Sequence, residues 1–259
     1  MIDLHCHILP GIDDGPPDMA AALALARALV AAGTHTVAAT PHVDEHFGLD
    51  PRDFPARVEE VRVALAAEGI PLEVVAGGEI ALSRLPDLDD DDLRAVALGG
   101  GPYVLLECPL ANAAPMLESA VELLLQRGHG VLLAHPERSP AIQREPDRLA
   151  QMIEAGALSQ LTAGALAGDF GQTVRHVAVH LLRWELVHCV ASDAHDATRR
   201  GPEMLAGIRG AERDVPGLED RAAWLTEDVP AAILAGDDPP EPPPLGPPRR
   251  GWLSRLRGA

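Results

Sequence analysis

Met1-Ile2-Asp3-Leu4-His5-Cys6-His7 opens the chain and runs on through Ile8-Leu9-Pro10-Gly11-Ile12-Asp13-Asp14-Gly15. The first run reads as a strand, and side chains two apart on a strand face the same way, so His5 and His7 enter one space. Two imidazoles on one face make half of a transition-metal site. Asp3 is placed to orient one of them from behind. Asp14 comes in the loop that leaves the strand.

The same arrangement recurs further along. Short β-branched or apolar runs at 2–5, 35–40, 72–76, 103–107, 131–134, 158–162 and 186–191 predict strands. Helical patterns cover 18–32, 56–68, 113–126, 147–155 and 170–184, the first with Asp18 as its N-cap and Gly33 just past its end. Strands alternating with helices imply a parallel sheet, open or closed into a barrel. The residues at the strand ends separate the two. The second strand ends in Thr40-Pro41-His42, the third leads to Gly77-Gly78-Glu79, and the fourth ends in Glu107. The fifth runs into His135-Pro136-Glu137-Arg138 and the seventh into Ser192-Asp193-Ala194-His195. An open sheet gathers its ligand at one switch point, whereas a barrel draws functional residues from many strand ends. The expectation is therefore an α/β barrel. Its mouth would collect His5, His7, Asp14, His42, Glu79, Glu107, His135, Asp193 and His195. So many partly buried polar groups are costly unless cations pair with them, so the pool reads as a multinuclear metal site. The other histidines fall elsewhere: His35, His129 and His188 at strand starts, His176 and His180 on a helix, and His46 in a loop. These read as structural.

Composition bounds the rest. The 259 residues suit one single-core domain, and the formal net charge of −18 argues against binding nucleic acid or an anionic membrane nonspecifically. Lysine is absent, which removes Schiff-base chemistry and the P-loop Lys. Cys6, Cys108 and Cys189 lie in apolar runs without a CxxC pair and read as small buried hydrophobes. No secretory signal is read at the N-terminus and no run approaches a membrane span, so a cytoplasmic protein is expected. Asp87 and Asp89–Asp92 read as a solvated loop and helix start. A barrel domain over 1–236 is expected to give way at 237–259 to a flexible Pro-rich linker and a basic tail. With four Arg, Trp252, Leu253 and Leu256, that tail allows at most peripheral membrane or partner contact.

These motifs resemble the polymerase-and-histidinol-phosphatase (PHP) superfamily. The resemblance is carried by DLHCHILPGIDDG (3–15), ATPH (39–42), GGEI (77–80), LLECP (105–109), AHPER (134–138), QLTAGALAGDFG (160–171) and ASDAH (191–195). Within the superfamily, LPGIDDG, HPER and TAG-L-GDFG together are similar to bacterial tyrosine phosphatases of capsular and exopolysaccharide synthesis. Cys6, where Ser is common, and Pro16-Pro17 depart from that pattern without removing a ligand. The resemblance implies a distorted (β/α)7 TIM-like barrel holding three divalent transition-metal ions, Mn foremost, with Fe, Zn or Co as other fits. It implies that His5, His7, Glu79 and Asp193 hold one metal, and Glu79, Glu107 and His135 a second. Asp14, His42 and His195 would hold the third. Three divalent cations against four carboxylates leave roughly +2 at the mouth, which would draw a phosphate dianion to an acidic protein. Arg138 would grip its oxygens, unless it merely pairs with Glu137. His42 and His195 would relay a proton through water, and no protein nucleophile is needed. The implied substrate is a phosphotyrosyl protein, in particular a bacterial tyrosine autokinase. The alternative is a phosphoesterase for small monoesters such as histidinol phosphate.

Overall fold

The computed structural model of the protein describes residues 1–111 and 116–246. Its strands are β1 (Ile2–Cys6), β2 (Thr36–Ala39), β3 (His42–Val43), β4 (Glu73–Ala76), β5 (Glu79–Ile80), β6 (Tyr103–Glu107), β7 (Gly130–Ala134), β8 (Leu158–Thr162) and β9 (Cys189–Ala191). Between and after them run α1 (Met19–Ala31), α2 (Phe54–Ala67), α3 (Asp90–Ala95), α4 (Leu117–Gln126), α5 (Pro140–Arg144), α6 (Asp147–Glu154), α7 (Ala163–Ala167), α8 (Gln172–Arg183), α9 (Met204–Ala211) and α10 (Val229–Ala235). Every ladder between these strands is parallel. Parallel strands covered by helices are buried on both faces, which is why β7 and β8 are almost continuously buried. Asp18 caps α1 through the N–H of Ala21 at 2.9 Å, as its position predicts.

The expected strands at 35–40 and 72–76 are present as β2 and β4, and each is followed by a two-residue strand outside the expected runs. Pro41 cannot donate to a ladder and separates β2 from β3; Gly77-Gly78 separate β4 from β5. The breaks keep the pairing order, because β3 pairs with β5 as β2 pairs with β4, and His42 stands directly beside Glu79. The ladders form two sheets, β1-β2-β4 and β3-β5-β6-β7-β8-β9. No continuous ladder closes a barrel among the described residues. Where β1 and β9 meet there is one bridge, Cys6 to Ala194, flanked by two hydrogen bonds. The Asp193 N–H donates to His5 O at 2.8 Å, and the His7 N–H to Ala194 O at 2.9 Å. That seam sits among metal-ligand candidates from both strands.

The segments without a sequence expectation, α5, α7, α9 and α10, are short helices of five to eight residues that pack on the strand ends and on each other. The expected helix from 113 is observed from Leu117; residues 112–115 lie outside the described residues. The acidic run starts α3 with a reciprocal capping box between Asp89 and Asp92 and is paired with Arg52, Arg94 and Arg127. The Pro-rich stretch expected as a linker lies on the body as far as Gly246. Trp224 Nε1 donates to Pro240 O at 2.8 Å, buried Arg221 donates to Pro243 O, and the Gly246 N–H donates to Pro216 O at 2.8 Å. The basic tail Arg249–Ala259 falls outside the described residues. No described helix is long and apolar enough to cross a membrane.

Candidate metal centre

His5 and His7 lie side by side as the strand period requires, both fully buried. His5 Nδ1 donates to Gln160 Oε1 (3.0 Å) and His7 Nδ1 to Asp13 Oδ2 (2.7 Å). With Nδ1 carrying the proton in each ring, the Nε2 atoms are left as lone-pair donors. They face each other at 3.3 Å. Two lone pairs so placed repel unless something positive lies against both. Carboxylates crowd the same point: Glu79 Oε2 is 3.3 Å from His5 Nε2 and 3.5 Å from His7 Nε2, and Asp193 Oδ1 is 3.5 and 3.6 Å from them. Neutral imidazole nitrogens and carboxylate oxygens converging in a buried space are the donor set that divalent transition metals take.

A wider cluster surrounds this pair. Glu79 also meets His42 Nδ1 through Oε2 (3.0 Å) and His135 Nε2 through Oε1 (2.8 Å). Asp14 Oδ1 reaches His195 Nε2 at 3.0 Å and His42 Nε2 at 3.4 Å. Donor atoms gather within ion-binding reach in three groups: His7, Asp14, His42 and His195; His5, His7 and Asp193; and His5, Glu79 and His135. Eight of the nine expected ligands therefore come together, although His7 belongs to two groups and Glu79 groups with His5 and His135. Glu107 joins none of the groups; burial, and then the Glu79 charge, push its pKa up to about 7. His135 and Asp193 hold left-handed backbone conformations (φ 36° and 53°), uncommon for residues with side chains and found where a site constrains the chain.

The electrostatics point the same way. Burial lowers the pKa of His7 and His42, yet neighbouring carboxylates outweigh it. Asp13 and Glu79 bring His7 to about 9, and Asp14 and Glu79 bring His42 to about 11. Burial opposes ionisation of Glu79 as well, but the surrounding imidazoles hold its pKa well below the usual range. The mouth is a field that favours positive charge.

Two expectations change. Asp3 touches no imidazole; it accepts from the Ser192 hydroxyl (2.5 Å), the Ser192 N–H (3.0 Å) and the His5 N–H (3.3 Å), pinning β1 to the end of β9. Asp13 and Gln160 hold the imidazoles instead. Arg138 does not pair with Glu137. Its Nη1 donates to Asp193 Oδ2 at 2.7 Å, while Glu137 is turned into the core, accepting from the Thr162 N–H at 2.9 Å, and burial drives its pKa to about 8. Arg200, which the sequence did not single out, donates Nη2 to the same Asp193 oxygen at 2.8 Å. It lies past the end of β9 in an irregular loop turned by Asp196, where no strand register flags it.

A buried imidazole-carboxylate cluster at the ends of parallel strands, edged by two guanidiniums, defines an α/β protein with a donor set able to hold metal ions. The chain belongs to the capsular polysaccharide synthesis CpsB/CapC family, whose model matches residues 1–234. It is 36% identical over 201 residues to the tyrosine-protein phosphatase YwqE of Bacillus subtilis, covering 77% of this chain and 79% of that one. It is 27% identical over 215 residues to the tyrosine-protein phosphatase CpsB of Streptococcus pneumoniae, covering 79% and 86%. A solved structure from work on YwqE and CpsB as metal-dependent tyrosine phosphatases superposes with a TM-score of 0.84 at 33% identity, covering 96% of this chain and all of that one. A dihydropyrimidinase from Brevibacillus agri shares the fold alone, with a TM-score of 0.53 at 13% identity, covering 96% of this chain and 73% of that one.

Proposed function

We propose that this chain is a metal-dependent protein tyrosine phosphatase, a cytoplasmic enzyme acting on a bacterial tyrosine kinase of capsular polysaccharide synthesis. In this reading the seven strand positions form a distorted (β/α)7 PHP-type barrel over 1–236, and three divalent ions, Mn foremost, occupy its mouth. The observation that carries it is the facing pair of His5 and His7 Nε2 atoms, 3.3 Å apart and ringed by Glu79 and Asp193. That donor set fits cations, and family membership supplies the tyrosine phosphatase reading.

Bound divalent ions supply Lewis acidity and lower the pKa of water toward neutrality. The chain's own residues do the rest. Arg138 and Arg200 each spend one N–H on Asp193 Oδ2, which draws both guanidiniums to one carboxylate and leaves further Nη donors for phosphoryl oxygens. Asp14, 3.0 Å from His195 Nε2 and half exposed at the rim, connects the buried donors to solvent. His42 and His195 flank it through Nε2, at 3.4 and 3.0 Å, where a proton relay through water would run. A phenolate leaving group, with a pKa near 10, needs little protonation, so a weak relay suffices. The lack of a nucleophile is consistent with the cysteines: burial raises the Cys6 and Cys108 thiols well above their usual value. A hollow of about 890 Å³ beside Glu107, bordered by Leu82, Leu85, Leu110 and Leu123, offers apolar surface to a substrate next to the cluster.

The test is hydrolysis of a phosphotyrosyl peptide against histidinol phosphate by protein whose metals are counted. Preference for histidinol phosphate, or activity with fewer than two transition metals per chain, would falsify this reading.

A further inference from the structure

We propose that Phe170 is a positioning residue that holds the Arg138 guanidinium in place, the purpose of the Thr162-Ala163-Gly164 to Gly171 segment. The inference rests on the reading of Arg138 as a phosphoryl-gripping side chain. The Arg138 guanidinium carbon lies 4.5 Å from the centre of the Phe170 ring, within cation–π range. Asp193 holds one edge of the guanidinium through Nη1, and Phe170 covers its face. Two restraints in different directions define a plane, which one ion pair to a carboxylate shared with Arg200 cannot.

The local chain is shaped around this ring. After α7 the backbone turns back at Gly168, whose φ of +98° strains any other residue, and the Asp169 N–H returns to Gly164 O at 2.9 Å. A Cβ on Gly164 would sit 3.2 Å from the Phe170 ring and 3.0 Å from Asp169 Oδ2, so glycine there leaves the space the ring uses. Glu137 ties the segment to the Arg138 turn from beneath, accepting from the Thr162 N–H inside the core. Phe170 is half-buried and packs part of its surface on the hydrophobic core, which restrains the ring. Phe170, Asp193 and Arg200 also border one cavity of about 430 Å³.

The experiment is a double-mutant cycle on the metal-loaded full chain, with phosphotyrosyl peptide as substrate and inorganic phosphate as competitive inhibitor. Phe170→Leu should lower kcat/KM and weaken phosphate inhibition by about 2- to 30-fold, the range for such contacts. Phe170→Tyr, which keeps the ring, should restore both to within about twofold. Gly164→Ala, which crowds the ring without removing it, should reproduce part of the loss. In an Arg138→Ala background, Phe170→Leu should have no further effect, because the group it holds is gone. Equal losses in both backgrounds, or a Leu variant as active as the Tyr variant, would overturn the proposal. Full activity in Arg138→Ala alone would instead overturn the reading of Arg138. Metal content and the unfolding midpoint are recorded for each variant; if Phe170→Leu fails to fold, the Tyr and Gly164→Ala variants decide by the same cycle.

Discussion

The two ends of the strands use the same residue to opposite effect. At the C-terminal ends, His7 and His42 are surrounded by carboxylates that raise their pKa to about 9 and about 11 against the pull of burial. At the N-terminal ends, His188 is half-buried, desolvation alone lowers its pKa to about 4, and its Nδ1 accepts the Ser159 N–H at 3.1 Å. Both ends lie in a tightly packed molecule. The difference is whether acids were placed beside the imidazole, and it separates a site that demands cations from a side chain that must stay neutral.

The largest effect should come from removing the centre of that acidic field. Glu79 meets His5, His7, His42 and His135, so Glu79→Gln should abolish turnover and release bound metal, read by elemental analysis beside activity. Retained metal and turnover would show that the crowding of Glu79 is incidental. Next come the guanidiniums at the rim. Arg200→Ala should cost about 10²- to 10³-fold in kcat, the range for losing one preorganised donor to a developing anion, with metal content unchanged. A smaller loss is expected behind the imidazoles. Asp13→Asn weakens the orientation of His7, and outer partners of this kind are worth about 10- to 100-fold in metal affinity. Titration of the chelated protein with Mn measures it.

At the other end the prediction concerns stability. The folded pKa of His188 lies below its unfolded value near 6.5, so the folded state resists protonation. The stabilisation is complete above pH 6.5 and is lost as pH falls from 6.5 through about 4. Its size is about 3 kcal/mol, from roughly 1.4 kcal/mol per pKa unit. His188→Gln, compared with the parent by denaturant unfolding across this window, should lose stability less steeply on acidification. Parallel curves would mean that His188 is protonated without cost. The smallest effect is local: Asp89→Ala, which removes the α3 cap, should destabilise the fold by about 1 kcal/mol and leave activity unchanged.

Most of the donor cluster was legible because strand-end residues advertise themselves: a polar side chain directly after an apolar run is costly to bury unless something pairs with it. The HxH spacing placed His5 and His7 on one face by the two-residue period alone. Glu107 met the same criterion, yet stands outside the three donor groups, because strand position sets an approximate depth and says nothing of where a carboxylate points. Asp13 and Asp14 are neighbours in one loop; Asp14 was singled out and does join a donor group, but the place of Asp13 behind His7 was not legible.

Sequence by itself determined the alternation of parallel strands and helices, the acidic lysine-free composition, and eight of the donors that meet. These come from periodicity and residue chemistry, which are local. Only the tertiary structure decided that Asp193 anchors both Arg138 and Arg200, that Asp3 serves the β1–β9 seam and not a ring, and that Phe170 lies over Arg138. Each of those joins residues far apart in the chain through side-chain direction, and direction is set by packing around the mouth, which no local pattern encodes.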